Sequence, residues 1–276
     1  HGALLLLPTI LRTCRELIAP VYSDVLQAVL SVKDNRAIIV KRSVLQCLPE
    51  FARFDPRLFA PPTERMTVVM ERPHRDFDED VDVNDLRKGR MPEPLTSVIT
   101  WLLNSVRSFS EKQAVFVALG EITAAVGFPA LVFADRIVDK IRETIGTNGK
   151  DRRPETFAGA MECMERMVVA LPYAQVHAAV QRLFPELCEF GLTPPLVALM
   201  QSACRASKRR AFVLQTQKAL LDIICGVLLG RPFVPFGAPE HLKMFGKAVK
   251  PVAESPEHIA LALHTLHSFG FEHAIG

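Results

Sequence analysis

The densest cluster of chemically capable residues in the sequence is an acidic stretch whose spacing suggests calcium binding. Asp78, Asp80 and Asp82 have the opening spacing of an EF-hand loop, in which alternating carboxylates ligate Ca²⁺. The rest of that motif is missing. Val83 stands where the loop needs a glycine for its turn, and Gly89 stands where it needs a bidentate glutamate. We therefore interpret the stretch as a solvated acidic loop rather than a calcium site.

Histidines near the C-terminal end form a second candidate metal site. His264 and His267 are separated by about one helical turn, a spacing at which two imidazoles could share a metal ion. Neither a cysteine nor a carboxylate stands at ligand spacing beside them, and the pattern is typical of ordinary histidines on a helix surface. The sequence therefore predicts no metal-binding residue.

Two further motifs could contact a phosphate group. Residues 146–150 (Gly-Thr-Asn-Gly-Lys) lack the spacing of a P-loop and follow a predicted helix rather than a strand. The basic triplet Lys208, Arg209 and Arg210 lies between two predicted helices, where it could bind a phosphate or an acidic partner or form a solvated turn. No Gly-x-Ser-x-Gly elbow is present. The sequence predicts no catalytic residue, no cofactor-binding residue and no cofactor.

Composition indicates a folded, apolar chain whose net charge does not define its partners. Of its 276 residues 49% are hydrophobic, and the mean hydropathy is +0.18, which excludes disorder of the whole chain. A net charge of +3 does not favour nucleic acid or an anionic membrane as the main partner. The cysteines lack Cys-x-x-Cys spacing, so we expect buried, reduced thiols of an intracellular protein. They are Cys14, Cys47, Cys163, Cys188, Cys204 and Cys225.

Two apolar runs fail the tests for a membrane span. Residues 3–7 are broken by Pro8 and followed by Arg12 and Arg15, which fits neither a signal peptide nor a span. Residues 219–230 contain a charged side chain and are fewer than the roughly 20 residues that a span needs. We expect a soluble protein. Because the chain begins at His1 and enters a helix-like leucine run at once, we also expect a fragment of a larger protein.

Apolar residues recur with the period of an α-helix along most of the chain. Three clear stripes are Leu95, Val98, Ile99, Leu102, Leu103 and Val106; Val115, Ala118, Leu119, Ile122 and Val126; and Ala134, Ile137, Val138, Ile141 and Ile145. Helix starts are predicted at Pro154 and, with hydroxyl caps, after Thr193 and Ser255. The only β-like run, residues 67–70, is predicted to end a helix or enter a loop. We therefore expect an all-α fold without a sheet.

A helical unit recurs in the sequence. Residues 31–33 (Ser-Val-Lys), followed by a polar break and an apolar helix, have a counterpart 74 residues later in residues 105–107 (Ser-Val-Arg). Omitting the 23 residues of an acidic segment, 71–93, leaves 51, slightly above the roughly 40–47 of a HEAT or armadillo unit. Such units bury their apolar faces only by stacking. The prediction is one HEAT/armadillo-like α-solenoid segment over residues 1–276, with the acidic segment as an inserted, mobile surface loop.

This solenoid would consist of stacked antiparallel helix pairs. The stripes and breaks predict about ten to thirteen helices in a right-handed stack. Terminal units of such stacks normally carry polar caps. The apolar start of this chain lacks such a cap, which agrees with a fragment.

Several segments spread along the chain resemble the N-terminal HEAT region of target-of-rapamycin (TOR) kinases. They are residues 1–5 (HGALL), the helix 114–126 with Ala118, Leu119 and Gly120 at its centre, residues 191–194 (GLTP) and residues 259–269 (IALALHTLHSF). The resemblance runs in order along the whole chain and departs from the family in the acidic insertion near residues 76–85. It implies a segment of a large serine/threonine-protein kinase of the phosphatidylinositol-3-kinase-related class, which couples nutrient and growth signals to protein synthesis and autophagy.

The resemblance implies a scaffold rather than a catalyst. In this family the N-terminal solenoid docks a raptor-like, substrate-recruiting subunit and supports dimeric assembly of the complex, while a distant kinase domain phosphorylates substrates. We expect this segment to bind that subunit and other TOR complex subunits in the cytoplasm, with recruitment to the lysosomal or vacuolar surface through the complex as an option. The alternatives are a HEAT or armadillo scaffold of another class, such as a transport receptor or phosphatase scaffold, and an all-helical hydrolase or transferase.

Overall fold

Every regular element in the described part of the chain is a helix. The computed structural model describes residues 1–70, 83–87, 91–106, 112–145, 153–172, 176, 180, 183, 190–207, 210–229 and 255–271. Its α-helices are α1 (Gly2–Thr13), α2 (Arg15–Ile18), α3 (Tyr22–Ser31), α4 (Ile38–Phe54), α5 (Pro56–Phe59), α6 (Glu64–Met70), α7 (Val83–Arg87), α8 (Leu95–Ser105), α9 (Lys112–Val126), α10 (Ala134–Ile145), α11 (Pro154–Ala170), α12 (Pro194–Ala206), α13 (Arg210–Leu229) and α14 (Pro256–Ser268). Two 3₁₀ helices span Ala19–Val21 and Phe128–Phe133. The predicted all-α fold is confirmed for these residues.

The described part alone contains fourteen α-helices, more than the ten to thirteen predicted for the chain. Short helices account for the difference. α2 and α5 have four residues each, too few to produce an apolar stripe in the sequence.

The three apolar stripes lie on α8, α9 and α10, and Val106 directly follows the end of α8. Every member of each stripe is buried. The predicted hydroxyl caps are also present. Thr193 Oγ1 accepts the backbone N–H of Leu196 at 3.4 Å, and Ser255 Oγ accepts that of His258 at 3.3 Å. Helix α11 begins at Pro154, and the β-like run ends α6. Periodicity and caps therefore located these helices correctly.

Helix α1 continues through Pro8, where the sequence suggested a break in the leucine run. A proline inside a helix removes the N–H that would bond to the carbonyl four residues earlier. Here that carbonyl belongs to Leu4, and it accepts a hydrogen bond from the Cys47 thiol of α4 instead, with 3.2 Å between Sγ and O. The neighbouring helix α4 thus supplies a donor for the carbonyl that the proline leaves without its usual N–H partner.

The predicted acidic insertion is not wholly a surface loop. Most of that segment lies outside the described residues, but Val83–Arg87 forms α7, and its Leu86 is only 3% exposed. Arg87 Nε donates to the carbonyl of Val132, in the second 3₁₀ helix, at 2.9 Å. This part of the insertion therefore packs against the rest of the fold. A five-residue helix with one buried leucine leaves no periodic signal in the sequence.

Helix α13 is longer than the apolar run 219–230 that predicted it. An 18-residue window within its 20 residues reaches a mean hydropathy of 1.6, so by length and composition alone the helix could cross a membrane, although the apolar run itself is shorter than a span. Burial follows one side of the helix, through Phe212, Leu220 and Ile224, while Leu229 is exposed. A core helix packed against protein shows the same pattern, so the length alone assigns no membrane.

Contacts along α1 and α4 show that these helices run in the same direction. His1 Nδ1 lies 3.0 Å from Ser43 Oγ near the start of both helices. Arg12 Nη2 lies 2.7 Å from Glu50 Oε1 near the end of both. The contact between Leu4 and Cys47 falls between these two. Since the contacts advance along both helices together, α1 and α4 are parallel neighbours, and α4 in turn packs against α9.

Helices α9 and α11 are also parallel, and they approach closely. A Cβ on Gly120 would lie 2.8 Å from the Cys163 Cα, and a Cβ on Gly159 would lie 2.8 Å from the Gln113 Cα. Such close contact of two helix backbones requires glycine at both positions. Helix α11 also packs against α12, α12 packs against α13, and α13 packs against α14.

The repeated sequence unit corresponds to a repeated order of elements. α3 ends at Ser31 and α8 ends at Ser105, the serines that open the two copies of the motif. A long apolar helix follows in each case, α4 or α9, and then a short one, α5 or the 3₁₀ helix Phe128–Phe133. The long helices of the two units pack against each other.

Candidate interaction surfaces

The sequence motifs with possible chemistry do not assemble into a site in the described structure. The EF-hand-like aspartates, the loop 146–150 and the first two residues of the basic triplet lie outside the described residues, and Arg210 begins α13. His264 and His267 are exposed on α14. Within the described ranges, no group of three or more His, Cys, Asp or Glu side chains is placed to hold a metal ion.

The cysteines differ more in exposure than the sequence suggested. Cys47 and Cys163 are fully buried, and burial raises the pKa of each thiol to about 12. Burial also raises the pKa of the half-buried Cys204 thiol, to about 11. Cys225 is exposed on α13, which corrects the expectation of uniform burial. Cys14 is half-buried, and Cys188 lies outside the described residues.

A row of alternating charges connects the parallel helices, and we name it the charged ridge: Arg12, Glu50, Arg53, Glu121, Glu162 and Arg166. Its first half joins α1 to α4. The Arg12 guanidinium binds Glu50 with two hydrogen bonds, Nε to Oε2 at 2.9 Å and Nη2 to Oε1 at 2.7 Å. Arg53 Nη1 donates to the same Glu50 Oε1 at 2.6 Å. One carboxylate therefore holds two arginines from neighbouring helices.

The second half of the charged ridge joins α4 to α9 and α11. Glu121 Oε1 forms ion pairs with Arg53 Nη2 at 3.0 Å and with Arg166 Nη1 at 3.2 Å. Arg166 also binds Glu162 Oε1 through Nη2 at 2.5 Å and the carbonyl of Val117 through Nη1 at 3.3 Å. Every charge of the ridge except Glu162, whose partner Arg166 lies on the same helix, thus has an opposite neighbour on an adjacent helix.

Glu50 is the electrostatic centre of the charged ridge. Its side chain is only 7% exposed, whereas Arg12 is 64% exposed. The hydrogen bond from Arg12 lowers the pKa of the Glu50 carboxyl, and Arg53 lowers it further, while burial acts in the opposite direction. The net effect is a pKa below the ordinary value, so Glu50 is ionised at neutral pH.

A polar groove lies between the α3–α4 connection and α8, and we name it the α3–α8 groove. It consists of two adjoining cavities of about 540 Å³ and about 530 Å³ that share Lys33, Glu93 and Ser97. The lining residues are Gln27, Leu30, Ser31, Lys33, Asp34, Lys41, Glu93, Pro94, Thr96, Ser97, Thr100, Trp101, Asn104 and Ser105. Both serines of the repeated motif, Ser31 and Ser105, are among them.

A hydrogen bond between Trp101 and Asp34 joins the two walls of this groove. The indole Nε1 of Trp101 donates to Asp34 Oδ1 at 3.1 Å, across 67 residues of sequence. At the start of α8, the backbone N–H of Ser97 donates to Glu93 Oε2 at 3.3 Å. Sequence reasoning missed this groove. The available signal was a polar stripe on an otherwise apolar helix, formed by Ser97, Thr100 and Asn104 at helical spacing.

Large apolar side chains are exposed where α1 and α4 begin. Leu5 and Leu6 of α1 are 51% and 63% exposed, and Ile38 and Ile39 of α4 are 47% and 50% exposed. These four side chains are exposed apolar groups on two neighbouring helices.

Comparison with known proteins finds a similarity that covers nearly the whole chain. The chain is similar to a stretch of a TOR kinase. It is 24% identical over 274 residues to the "Serine/threonine-protein kinase TOR" of Oryza sativa subsp. japonica, a match that covers 99% of this chain and 10% of that kinase. This chain therefore spans about a tenth of the length of the curated relative it matches. The similarity supports a TOR-related region.

Other comparisons identify neither a domain nor a structural neighbour. No protein-family model matches the chain. No solved structure matches it either.

Proposed function

We propose that this chain is a non-catalytic, protein-binding segment of a TOR-related kinase, built as a HEAT/armadillo-like α-solenoid. The parallel packing of α9 and α11, with α10 between them in sequence, carries the proposal. In a solenoid, equivalent helices of successive units lie side by side and run in the same direction, while the helices between them return on another layer. The pair α1 and α4 and the packing of α4 on α9 agree with the same arrangement.

The similarity to a TOR kinase supports the part of the proposal that assigns the chain to a TOR-related kinase. Because the match covers nearly all of this chain and a tenth of the relative, serine/threonine phosphorylation belongs, in this proposal, to a kinase domain elsewhere in the full protein. This segment then contributes binding surface rather than chemistry.

The proposed partner is a raptor-like subunit, docked on the layer formed by α1, α4, α9 and α11. The charged ridge holds this layer in place before a partner arrives, so docking needs little additional ordering of side chains. The exposed leucines and isoleucines at the start of α1 and α4 add apolar contact area. Other TOR complex subunits, a dimeric complex, and a cytoplasmic location with recruitment to the lysosomal or vacuolar surface belong to the same proposal.

Binding of a purified raptor-like subunit tests this proposal. We expect the 276-residue chain to bind it and expect backbone amides of α1, α4, α9 and α11 to exchange hydrogen more slowly in the complex. Replacement of residues 71–82 by a Gly/Ser linker of equal length, which leaves α7 intact, is expected to preserve both the unfolding temperature and binding.

Two outcomes would overturn parts of the proposal. Loss of binding in the linker variant with an unchanged unfolding temperature would move the docking site to the acidic segment. Absence of binding, together with absence of kinase motifs downstream in the complete gene, would favour the alternative scaffold classes, a transport receptor or a phosphatase scaffold.

A further inference from the structure

We propose that helix α7 occupies, within this chain, a docking site for a short helical segment of a partner protein that carries an acidic residue, a leucine and an arginine in succession. The site lies between α6, the second 3₁₀ helix and the start of α10, and we name it the α7 site. It is separate from the charged ridge. The inference does not depend on the similarity to a TOR kinase or on the proposed solenoid.

The centre of the α7 site is apolar. Leu86 is the one buried residue of α7, and it belongs to the hydrophobic core of the chain. Helix α7 packs against the second 3₁₀ helix, Phe128–Phe133, in which every residue is buried. Removal of α7 would therefore uncover apolar surface on a core element, and such surface favours binding of another apolar side chain.

Charged and polar groups on both sides of Leu86 define what else the α7 site requires. On one side, Arg65 Nη1 of α6 donates to the backbone carbonyl and to Oδ1 of Asp85, each at 3.0 Å. On the other side, Arg87 donates from Nη2 to Asp135 Oδ2 at 3.3 Å and from Nε to the carbonyl of Val132 at 2.9 Å. A docked segment therefore needs a carboxylate beside Arg65 and a guanidinium beside Asp135. The reverse order of charges would place like charges together.

Few contacts hold α7 in the site. It has five residues, and isolated helices shorter than about 12–15 residues are marginal in water, so α7 depends on the site for its helical form. The ion pair between Arg65 and Asp85 joins two exposed side chains, a kind of pair that adds little stability. Elements with few buried contacts open first by local unfolding. We therefore expect α7 to leave the site while the 3₁₀ helix beneath it stays in the core.

Helix α7 then acts as an internal competitor for the partner segment. Because α7 is tethered to the chain, its effective concentration at the site is on the order of millimolar. A free segment with the same side chains meets that competition in the wild type and escapes it when the anchors of α7 are removed. A partner that also binds elsewhere on the chain overcomes the competition in the same way, because its own segment becomes tethered.

A nuclear magnetic resonance titration of the full 276-residue chain tests the proposal. The probe is an acetylated and amidated peptide of Val83 to Arg87 extended at both ends by alanine. The open variant, Leu86→Ser/Arg87→Ser, loses the anchors of α7 and keeps the site. We expect the peptide to shift the amide signals of the second 3₁₀ helix and of the start of α10 in the open variant. We expect it to bind the wild type about tenfold more weakly, or less.

Changes to the peptide and to the site distinguish specific docking from general adhesion. A peptide with Leu86→Ser is expected not to bind. Asp135→Lys in the open variant is expected to lower the affinity by about tenfold, and a peptide with Arg87→Glu should bind this variant better than the original peptide does. The matched control is Asp24→Lys, the same charge change at an exposed residue of α3, which should leave the affinity unchanged.

Several results would overturn the proposal. They are absence of binding to the open variant, equal affinity for the open variant and the wild type, equal binding of the Leu86→Ser peptide, and an equal loss in Asp24→Lys. If the open variant fails to fold by circular dichroism, Arg87→Ala replaces it, since this change leaves Leu86 in place. Arg87→Ala is expected to bind the peptide about threefold more tightly than the wild type, and an unchanged affinity would contradict the proposal.

Discussion

Gly120 of α9 lies directly against the backbone of Cys163 in α11, so that a methyl group at position 120 would be 2.8 Å from the Cys163 Cα. Gly159 of α11 has the same relationship to Gln113 of α9. The two glycines thus form a reciprocal contact, one from each helix. This contact sets the separation of the parallel pair on which the proposed solenoid arrangement depends.

Gly120→Ala is predicted to destabilise the fold. Within a helix, alanine is favoured over glycine by about 0.5–1 kcal/mol. Overpacking against a backbone atom costs about 1–3 kcal/mol, and the Cys163 Cα cannot move aside as a flexible side chain could. We expect a lower thermal unfolding temperature. Gly2→Ala in α1, where nothing lies within 4 Å, is the control and should be neutral or stabilising. A higher unfolding temperature for Gly120→Ala would show that the helices are farther apart.

Leu102→Asp and Leu119→Asp are each predicted to cost several kcal/mol of stability, because both side chains are fully buried and a carboxylate there would have no partner. Leu263→Asp makes the same change on α14, at a side chain that is 54% exposed, and should have little effect. Chemical denaturation of the three variants provides the measurement. Equal midpoints would show that the inward faces of α8 and α9 have been assigned incorrectly.

Glu50→Gln is predicted to lower stability at neutral pH by about 1.5–3 kcal/mol, since hydrogen bonds to charged groups contribute that much. The variant should also change the pH dependence. The pKa of Glu50 is lowered in the folded chain, so its stabilising contribution is present above the ordinary value of 4.5 and is lost as pH falls through the folded value. Unfolding between about pH 7 and about pH 3 should therefore be less pH-dependent in Glu50→Gln than in the wild type.

The control for this experiment is Glu16→Gln, at an exposed glutamate of α2. It should retain the pH dependence of the wild type. If Glu50→Gln and Glu16→Gln behave alike, the carboxylate of Glu50 does not hold the two arginines in solution.

Alkylation by iodoacetamide is predicted to distinguish the cysteines in the folded chain. Cys225 is exposed and should react. Cys47 and Cys163 should be protected, because they are buried and their pKa values of about 12 leave almost no thiolate at neutral pH. Peptide mass spectrometry before and after denaturation measures each site. Equal labelling of Cys163 and Cys225 under native conditions would contradict the packing of α9 on α11.

Local features of the fold could be predicted from the sequence because their causes are local. The stripes of α8, α9 and α10 and the caps at Thr193 and Ser255 depend on residues within a few positions of one another. The continuation of α1 through Pro8 could not be predicted in this way. It depends on a thiol 43 residues away from the carbonyl of Leu4.

The charged ridge and the α3–α8 groove could not be predicted from the sequence either, because they depend on contacts between residues far apart in the chain. The bond from Trp101 to Asp34 crosses 67 residues, and that from Arg12 to Glu50 crosses 38. Each of these hydrogen bonds forms only after the helices have packed. Neither a tryptophan nor an arginine in a sequence indicates which residue it will bind. The repeat supplied an indirect signal, since Ser31 and Ser105, which mark equivalent positions of the two units, both line the α3–α8 groove.

The parallel course of α1 and α4 also gives their layer an electrical polarity. Peptide dipoles that point the same way place the unpaired carbonyls of both helices, and hence partial negative charge, at one edge, and free amides with partial positive charge at the other. Arg12 and Arg53 stand in the last turns of α1 and α4, at the carbonyl edge. These guanidinium groups therefore offset two helix ends as well as the carboxylate of Glu50. The opposite edge has no acidic residue in the first turn of either helix, so neither helix offsets the partial positive charge of its own first turn.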